Sequence, residues 1–164
     1  MKIAGDYTIP ALEERAYLVL QDPEMLARAM PGCETLERIG DGEYHIKMKI
    51  VLASMSALFD GKVRVTDQDP FSRFRLIVEG TGKIGFVKGE GLLTLTAVDR
   101  GTSVHYDGGV EVGGTIATVG QRLLDTTARM LIKSFFKKLT ADVARAQAAG
   151  PAVDNYGDDG PTAV

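Results

Sequence analysis

Few side chains in this 164-residue chain could do chemistry, and their spacing limits what that chemistry is. The single cysteine, Cys33, excludes an internal disulfide and any multi-cysteine zinc or iron–sulfur site. His45 and His105 are the only histidines, which leaves almost nothing for a three-histidine or two-histidine-carboxylate metal centre, so no metal is expected. Cys33 would need a histidine beside it to serve as a nucleophile. Both histidines fall on the polar parity of their segments, and the plain reading of Cys33 is a small buried residue after a turn. Gly80-Thr81-Gly82-Lys83-Ile84-Gly85 satisfies G-x-G-x-x-G, but an alternating run to Val98 follows it. The dinucleotide reading requires a helix there to hold the pyrophosphate, so a glycine turn at a cavity rim suits the segment better. Asp60, Glu79, Glu90, Asp107 and Glu111 all take the outward parity. No acid–base dyad faces inward, no catalytic residue is assigned, and an enzyme is not expected.

Two broader constellations remain. The first is glycine, 19 of 164 residues, roughly 12% against an average of about 7%. Gly61, Gly80, Gly89, Gly91 and Gly108 occupy in-facing positions of alternating segments, where a core would place Val or Leu. Glycine there permits bending or bulging, and it also leaves volume unfilled, so curvature alone and a cavity are both open. A cavity would be lined by Tyr44, Met48, Phe59, Phe74, Leu76, Leu93, Tyr106, Leu123 and Met130 beside Gly61, Gly89, Gly91 and Gly108. It would suit an apolar or aromatic ligand, with tyrosine hydroxyls as polar anchors. The second constellation is basic. Arg122, Arg129, Lys133 and Lys137 fall within about 80° on a helical wheel, with Ile132, Phe136 and Val143 in the adjoining sector, away from the main apolar stripe. One reading is a solvated face favoured by the helix dipole. The other is a docking surface of these four cations and Phe136 for an anionic membrane or an enzyme partner.

The elements that must position these residues are legible from period. Residues 2–9 alternate as a strand with Ile3, Gly5, Tyr7 and Ile9 on one side. Pro10 suits the first turn of a helix to about Leu20, and Asp22-Pro23-Glu24 starts a second short helix ending at Pro31-Gly32. From Glu34 to Val112 the period is two almost throughout, with turns at Gly40-Asp41-Gly42, Gln68-Asp69-Pro70 and Asp99-Arg100-Gly101. Six consecutive one-sided strands with short connections make an antiparallel sheet with one wet face. After Gly113-Gly114 the period becomes 3.6 and a stripe from Ile116 through Leu139 predicts one long helix, ending near Gly150-Pro151. One α+β domain over residues 1–149 is expected, followed by a disordered acidic tail over 150–164.

The charge is formally −3, but Asp154, Asp158 and Asp159 lie in that tail, so 19 acids face 19 bases in the body. No basic field large enough for nucleic acid is present. With no apolar leader and no run of about 18 apolar residues, a cytoplasmic protein is expected.

Several segments carry a family likeness. They are Tyr7-Thr8-Ile9-Pro10-Ala11, Met30-Pro31-Gly32-Cys33-Glu34, Gly80-Thr81-Gly82 and Gly85-Phe86-Val87-Lys88-Gly89-Glu90. To these are added Val112-Gly113-Gly114-Thr115-Ile116-Ala117, Gly120-Gln121-Arg122-Leu123-Leu124-Asp125 and Phe135-Phe136. Together they resemble the CoxG family of carbon monoxide dehydrogenase proteins over residues 2–143. That family sits in the helix-grip (SRPBCC) superfamily of the birch-pollen allergen, the START lipid-transfer domains and the polyketide cyclases. The resemblance implies a curved antiparallel sheet wrapped around a long C-terminal helix, with two short helices after the first strand. It also implies a non-catalytic accessory protein of a molybdenum-containing carbon monoxide dehydrogenase or related hydroxylase. Such a protein would help dock that enzyme at the membrane and would handle a lipophilic quinone, with no covalent cofactor. The long helix and the loops near Pro31 and Gly85 would gate the cavity. Some relatives carry a hydrophobic C-terminal anchor where this chain has its acidic tail, so membrane contact would be peripheral, on the inner face of the cell membrane. A small cavity enzyme of cyclase or hydrolase type, and a docking adaptor with an incidental cavity, stay open beside the carrier.

Overall fold

A computed structural model describes the backbone of residues 1–154 and the side chains of residues 1–148. Strand β1 (Lys2–Ile9) is followed by helices α1 (Glu13–Val19) and α2 (Pro23–Ala29). Six strands come next: β2 (Cys33–Gly40), β3 (Glu43–Leu52), β4 (Met55–Asp69), β5 (Arg73–Gly82), β6 (Gly85–Val98) and β7 (Gly101–Gly113). A short 3₁₀ turn (Thr115–Val119) leads into α3 (Gln121–Asp154). The sheet has seven antiparallel strands in the order β1-β7-β6-β5-β4-β3-β2, so the first strand closes onto the last. This is the expected α+β helix-grip arrangement, a curved sheet holding one long helix.

Local chemistry sets the boundaries. The Asp22 carboxylate caps α2, accepting from the Glu24 N–H at 2.9 Å and the Met25 N–H at 3.4 Å, and Pro23 occupies the first turn. Helix α1 starts at Glu13 rather than Pro10, because the Ala11 carbonyl is taken by the buried Thr102 hydroxyl at 2.7 Å and cannot open a helical ladder. The long helix is likewise interrupted at its start. Gly120 lies at φ +100°, a conformation other residues rarely adopt, and it separates Ile116 and Val119 from α3. At the other end α3 continues past Gly150-Pro151 to Asp154, since a proline removes one N–H there and the ladder resumes beyond it. The remainder of the expected acidic tail, residues 155–164, lies outside the described residues.

Strand register puts the even positions of β3, β5 and β7 and the odd positions of β1, β4 and β6 on the concave face. That face does not pack as one block. The larger cluster joins Ile9, Tyr17, Val19, Tyr44, Phe74, Leu95, Val104, Leu139 and Val143 at one end. A smaller one gathers Leu52, Phe59 and Ile116 at the other, with Leu123 and Leu124 packed against it. The glycines of β6 and β7 sit between.

Candidate functional site

Between the two clusters lies a cavity of about 340 Å³. Strands β5, β6 and β7 form its floor, α3 its roof, and Ile3 of β1, Met48 of β3 and Met30 after α2 its ends. Cross-strand pairs explain why it is empty. On β6 and β7, Leu95 faces Val104 and both are buried, but four residues along the same ladder Gly91 faces Gly108. The two glycines differ in what they permit. A Cβ on Gly108 would stand 2.1 Å from the Glu90 carbonyl oxygen, so this glycine lets the strands approach. Cβ atoms on Gly89 and Gly91 would meet nothing closer than 3.6 Å, so their missing side chains leave usable room.

Of the residues expected at a cavity, Met48, Leu76, Gly89, Gly91, Leu93, Tyr106 and Gly108 come together around it. Six expected cavity residues do not. Tyr44 is buried in the larger cluster, its hydroxyl donating to the Gln21 carbonyl at 2.6 Å and accepting from Arg38 at 3.2 Å, so it is no free anchor. Phe74 is fully buried there, with Tyr17 edge-on at 5.5 Å. Phe59 and Leu123 belong to the smaller cluster, because β4 turns towards the 3₁₀ segment. Gly61 serves strand contact, since a Cβ there would lie 2.4 Å from the Glu79 carbonyl oxygen. Met130 points away from the sheet and is 59% exposed.

The basic strip also needs correction. Arg122, Arg129, Lys133 and Lys137 are all exposed, with Arg129 held to Asp125 at 3.6 Å. Phe136 is not part of that surface. It is 4% exposed and stacks on Tyr7 with ring centroids 4.5 Å apart. Val143 is fully buried and Ile132 lines the cavity. Edge strand β1 wraps one flank of α3 and α2 the other, so the buried face of α3 is wider than its apolar stripe.

The lining that sequence reasoning missed is mostly on α3: Ala128, Leu131, Ile132, Phe135 and Phe136. Leu131 and Phe135 lie on the apolar stripe and Val78 and Val110 on the inward parity, which is the available signal. Met30, in a loop, carries none.

The side-chain chemistry of the cavity is narrow. Glu90 and Asp107 touch it, but their side chains stand on the opposite face, where Glu90 pairs with Arg75 at 3.2 Å. Tyr106 supplies the polar side-chain group of the lining, and its hydroxyl forms no hydrogen bond among the described residues. Burial pushes its phenol above the ordinary range, reinforced by Tyr7 and opposed by Arg129. Cys33 lies elsewhere, its thiol raised by burial and by Glu34 and directed at the Thr35 carbonyl. His45 and His105 pair with Asp60 and Asp6 at 2.7 and 2.9 Å on the outer face. Among the described residues, no group of three or more His, Cys, Asp or Glu side chains could hold a metal.

A second hollow of about 410 Å³ lies beyond Leu95 and Val104, between the start of α1 and two turns. It is walled by solvent-exposed Leu12 and Phe71 and by Glu13, Glu14 and Asp99, and does not enter the concave face.

The family model for the carbon monoxide dehydrogenase protein CoxG matches residues 5–144. The chain belongs to the CoxG family. No curated protein matches it. A conserved protein from Geobacillus kaustophilus is 35% identical, covering 89% of this chain and 97% of its own, with a TM-score of 0.84. A START superfamily protein from Mycobacterium smegmatis shares the fold at 14% identity, covering 88% of this chain and 97% of its own, with a TM-score of 0.67. The Zhui aromatase/cyclase from Streptomyces sp. R1128 does so too at 14% identity, covering 92% and 97%, with a TM-score of 0.66. The last two likenesses establish the fold and nothing further.

Proposed function

We propose that this CoxG-family chain is a non-catalytic carrier of a lipophilic, quinone-like molecule. It would serve a molybdenum carbon monoxide dehydrogenase-type enzyme, receiving its ligand at the inner face of the membrane. The observation that carries the reading is the apolar cavity of about 340 Å³ between the two packed clusters. Leaving such a space unfilled costs stability, because its lining forfeits dispersion contacts. A bound molecule restores them. The volume sits at the low end of the ~300–1,000 Å³ typical of small-molecule sites. It accommodates a ring system or a short length of chain, and a longer tail would leave through the mouth.

The residues divide the work simply. Met30, Met48 and Phe135 give adaptable apolar contact. Gly89 and Gly91 give room, and Tyr106 can donate a hydrogen bond to a carbonyl oxygen. The mechanism is shielding of the ligand from water during transfer. Among the described residues no helix is long and apolar enough to cross a membrane, which fits peripheral contact. Membership of the CoxG family supports the dehydrogenase as partner.

The aromatase/cyclase neighbour favours one competing reading, chemistry inside the same cavity. That reading needs an inward acid or base beyond a tyrosine held protonated. Organic extraction of the purified protein followed by mass spectrometry separates the readings. A co-purifying quinone or other intact lipophile is expected. An empty cavity with retained dehydrogenase binding would overturn the carrier in favour of an adaptor.

A further inference from the structure

A cavity with one polar side-chain group dictates how an amphiphile must lie in it. The polar atom of the ligand goes to that group, because a polar atom left against hydrocarbon loses its hydrogen bonds to water without replacement. Here the group is the Tyr106 hydroxyl. Its position is fixed by β1: a Cβ on Gly5 would stand 2.6 Å from that oxygen, and the ring lies beside Tyr7 and Phe136, each with its centroid 6.2 Å away. The hydroxyl therefore reaches towards the seam between edge strand β1 and α3.

That seam is cationic. Phe136 stands on the β1 flank of α3, and one helical turn earlier Ile132 lines the cavity. Arg129 and Lys133 border this row on its exposed side. Arg129 is close enough to Tyr106 to oppose the rise in its pKa. Two acids are nearby, and both are engaged. Asp6 is bonded to His105 at 2.9 Å, and Asp125 holds Arg129 at 3.6 Å. Lys133 forms no ion pair among the described residues. The polar end of the cavity thus offers one neutral donor, a shared guanidinium and a free ammonium, with no carboxylate left over.

We infer that the cavity selects amphiphiles carrying an ionised oxygen at the polar end, a carboxylate or an acidic enol, held by the Tyr106 hydroxyl and flanked by Arg129 and Lys133. A neutral carbonyl can use the tyrosine alone, whereas an anion uses all three groups, and hydrogen bonds to charged oxygens are about twice as strong as neutral ones. The inference rests on the reading of the cavity as a binding site, and it narrows the ligand class for that site.

Titration calorimetry at pH 8 with two matched pairs tests it. Dodecanoate is set against dodecanol, and 2-hydroxy-1,4-naphthoquinone, an anion at that pH, against neutral 2-methyl-1,4-naphthoquinone. In at least one pair the anion should bind roughly fivefold more tightly, as partly solvated cations allow. Preference in one pair alone names the source of the acid. Arg129→Gln with Lys133→Gln should bring the anion down to the affinity of its neutral counterpart and leave the neutral probe unchanged. Lys137→Gln, further along the helix, should alter neither. Equal binding within both pairs, or a double variant that keeps the preference, overturns the inference while the container stands. Failure of all four probes to bind removes the container as well.

Discussion

Two stretches of one β6–β7 ladder, four residues apart, do opposite things. At Leu95 and Val104 the concave face is filled, and both side chains disappear beneath the larger cluster. At Gly91 and Gly108 the same face, parity and strands carry no side chain, and the cavity opens. Helix α3 follows suit. Over the filled stretch Leu139 and Val143 are fully buried, while over the open one Ala128, Leu131 and Ile132 roof a space. Fold stability and ligand capacity are therefore placed in adjacent segments rather than traded within one, and substitutions should separate them.

The largest effect is expected in the filled stretch. Phe74→Ala removes a fully buried ring and should lower stability by about 3–5 kcal/mol in denaturant titration. Where the variant stays folded, ligand affinity should be nearly unchanged, because Phe74 does not line the cavity. A matching loss of affinity would show that the two stretches are coupled.

Within the glycine pair the expected effects diverge. Gly108→Ala forces a Cβ against the Glu90 carbonyl, so the strands must part, at a cost of about 1–3 kcal/mol. Gly91→Leu puts its side chain into open space. Its stability should be unchanged or raised by up to about 1 kcal/mol, since strand glycine is itself unfavourable and new apolar surface is buried. Binding of a cavity ligand should fall more than tenfold, by occlusion. If Gly91→Leu unfolds the protein instead, the room above Gly91 is not usable volume.

A smaller loss tests how α3 is anchored at its filled end. Asp142 is 4% exposed and is met by Arg28 of α2 at 4.0 Å, by Lys138 at 3.5 Å and by Arg145. Its three partners are all more than half exposed and can return to water, so removing the carboxylate does not strand a buried cation. Asp142→Asn should cost about 1–2 kcal/mol, below the 3–5 kcal/mol that breaking a fully buried pair costs. Asp142→Leu should recover most of it if packing of α2 on α3 matters more than charge. Thermal unfolding of the two variants side by side decides this.

Legibility in the sequence follows the same division. Period-two segments put Gly89, Gly91, Leu93, Leu76 and Tyr106 on the inner face, and strand register brings them together. Parity names a face; it does not say how far along the sheet the helix leaves it uncovered. For that reason Phe74, Phe59 and Tyr44, all inward, belong to packed clusters instead of the cavity. Phe136 fails for a related reason. A helical wheel registers only the residues of its own helix, and the edge strand that brings Tyr7 over Phe136 is about 130 residues away in the chain. The break at Gly120 depends on a positive φ that composition leaves undetermined between a turn and a helical glycine.

The finest test concerns the Tyr106 hydroxyl, where the filled and open stretches meet. Burial, then Tyr7, raises its pKa above the ordinary value of about 10, and Arg129 pulls the other way. The folded state therefore prefers the neutral phenol. The corresponding stability is present below the unfolded pKa and is lost as pH rises through the folded one. In a spectrophotometric titration one tyrosine should ionise later than a free one, and Tyr106→Phe should remove that late step and no other. Arg129→Gln should move the step further up, since it deletes the opposing cation. An anionic occupant should do the same through like charge and further desolvation. If dodecanoate left the step in place while calorimetry showed it bound, the carboxylate would lie away from Tyr106. The open stretch would then hold its ligand the other way round.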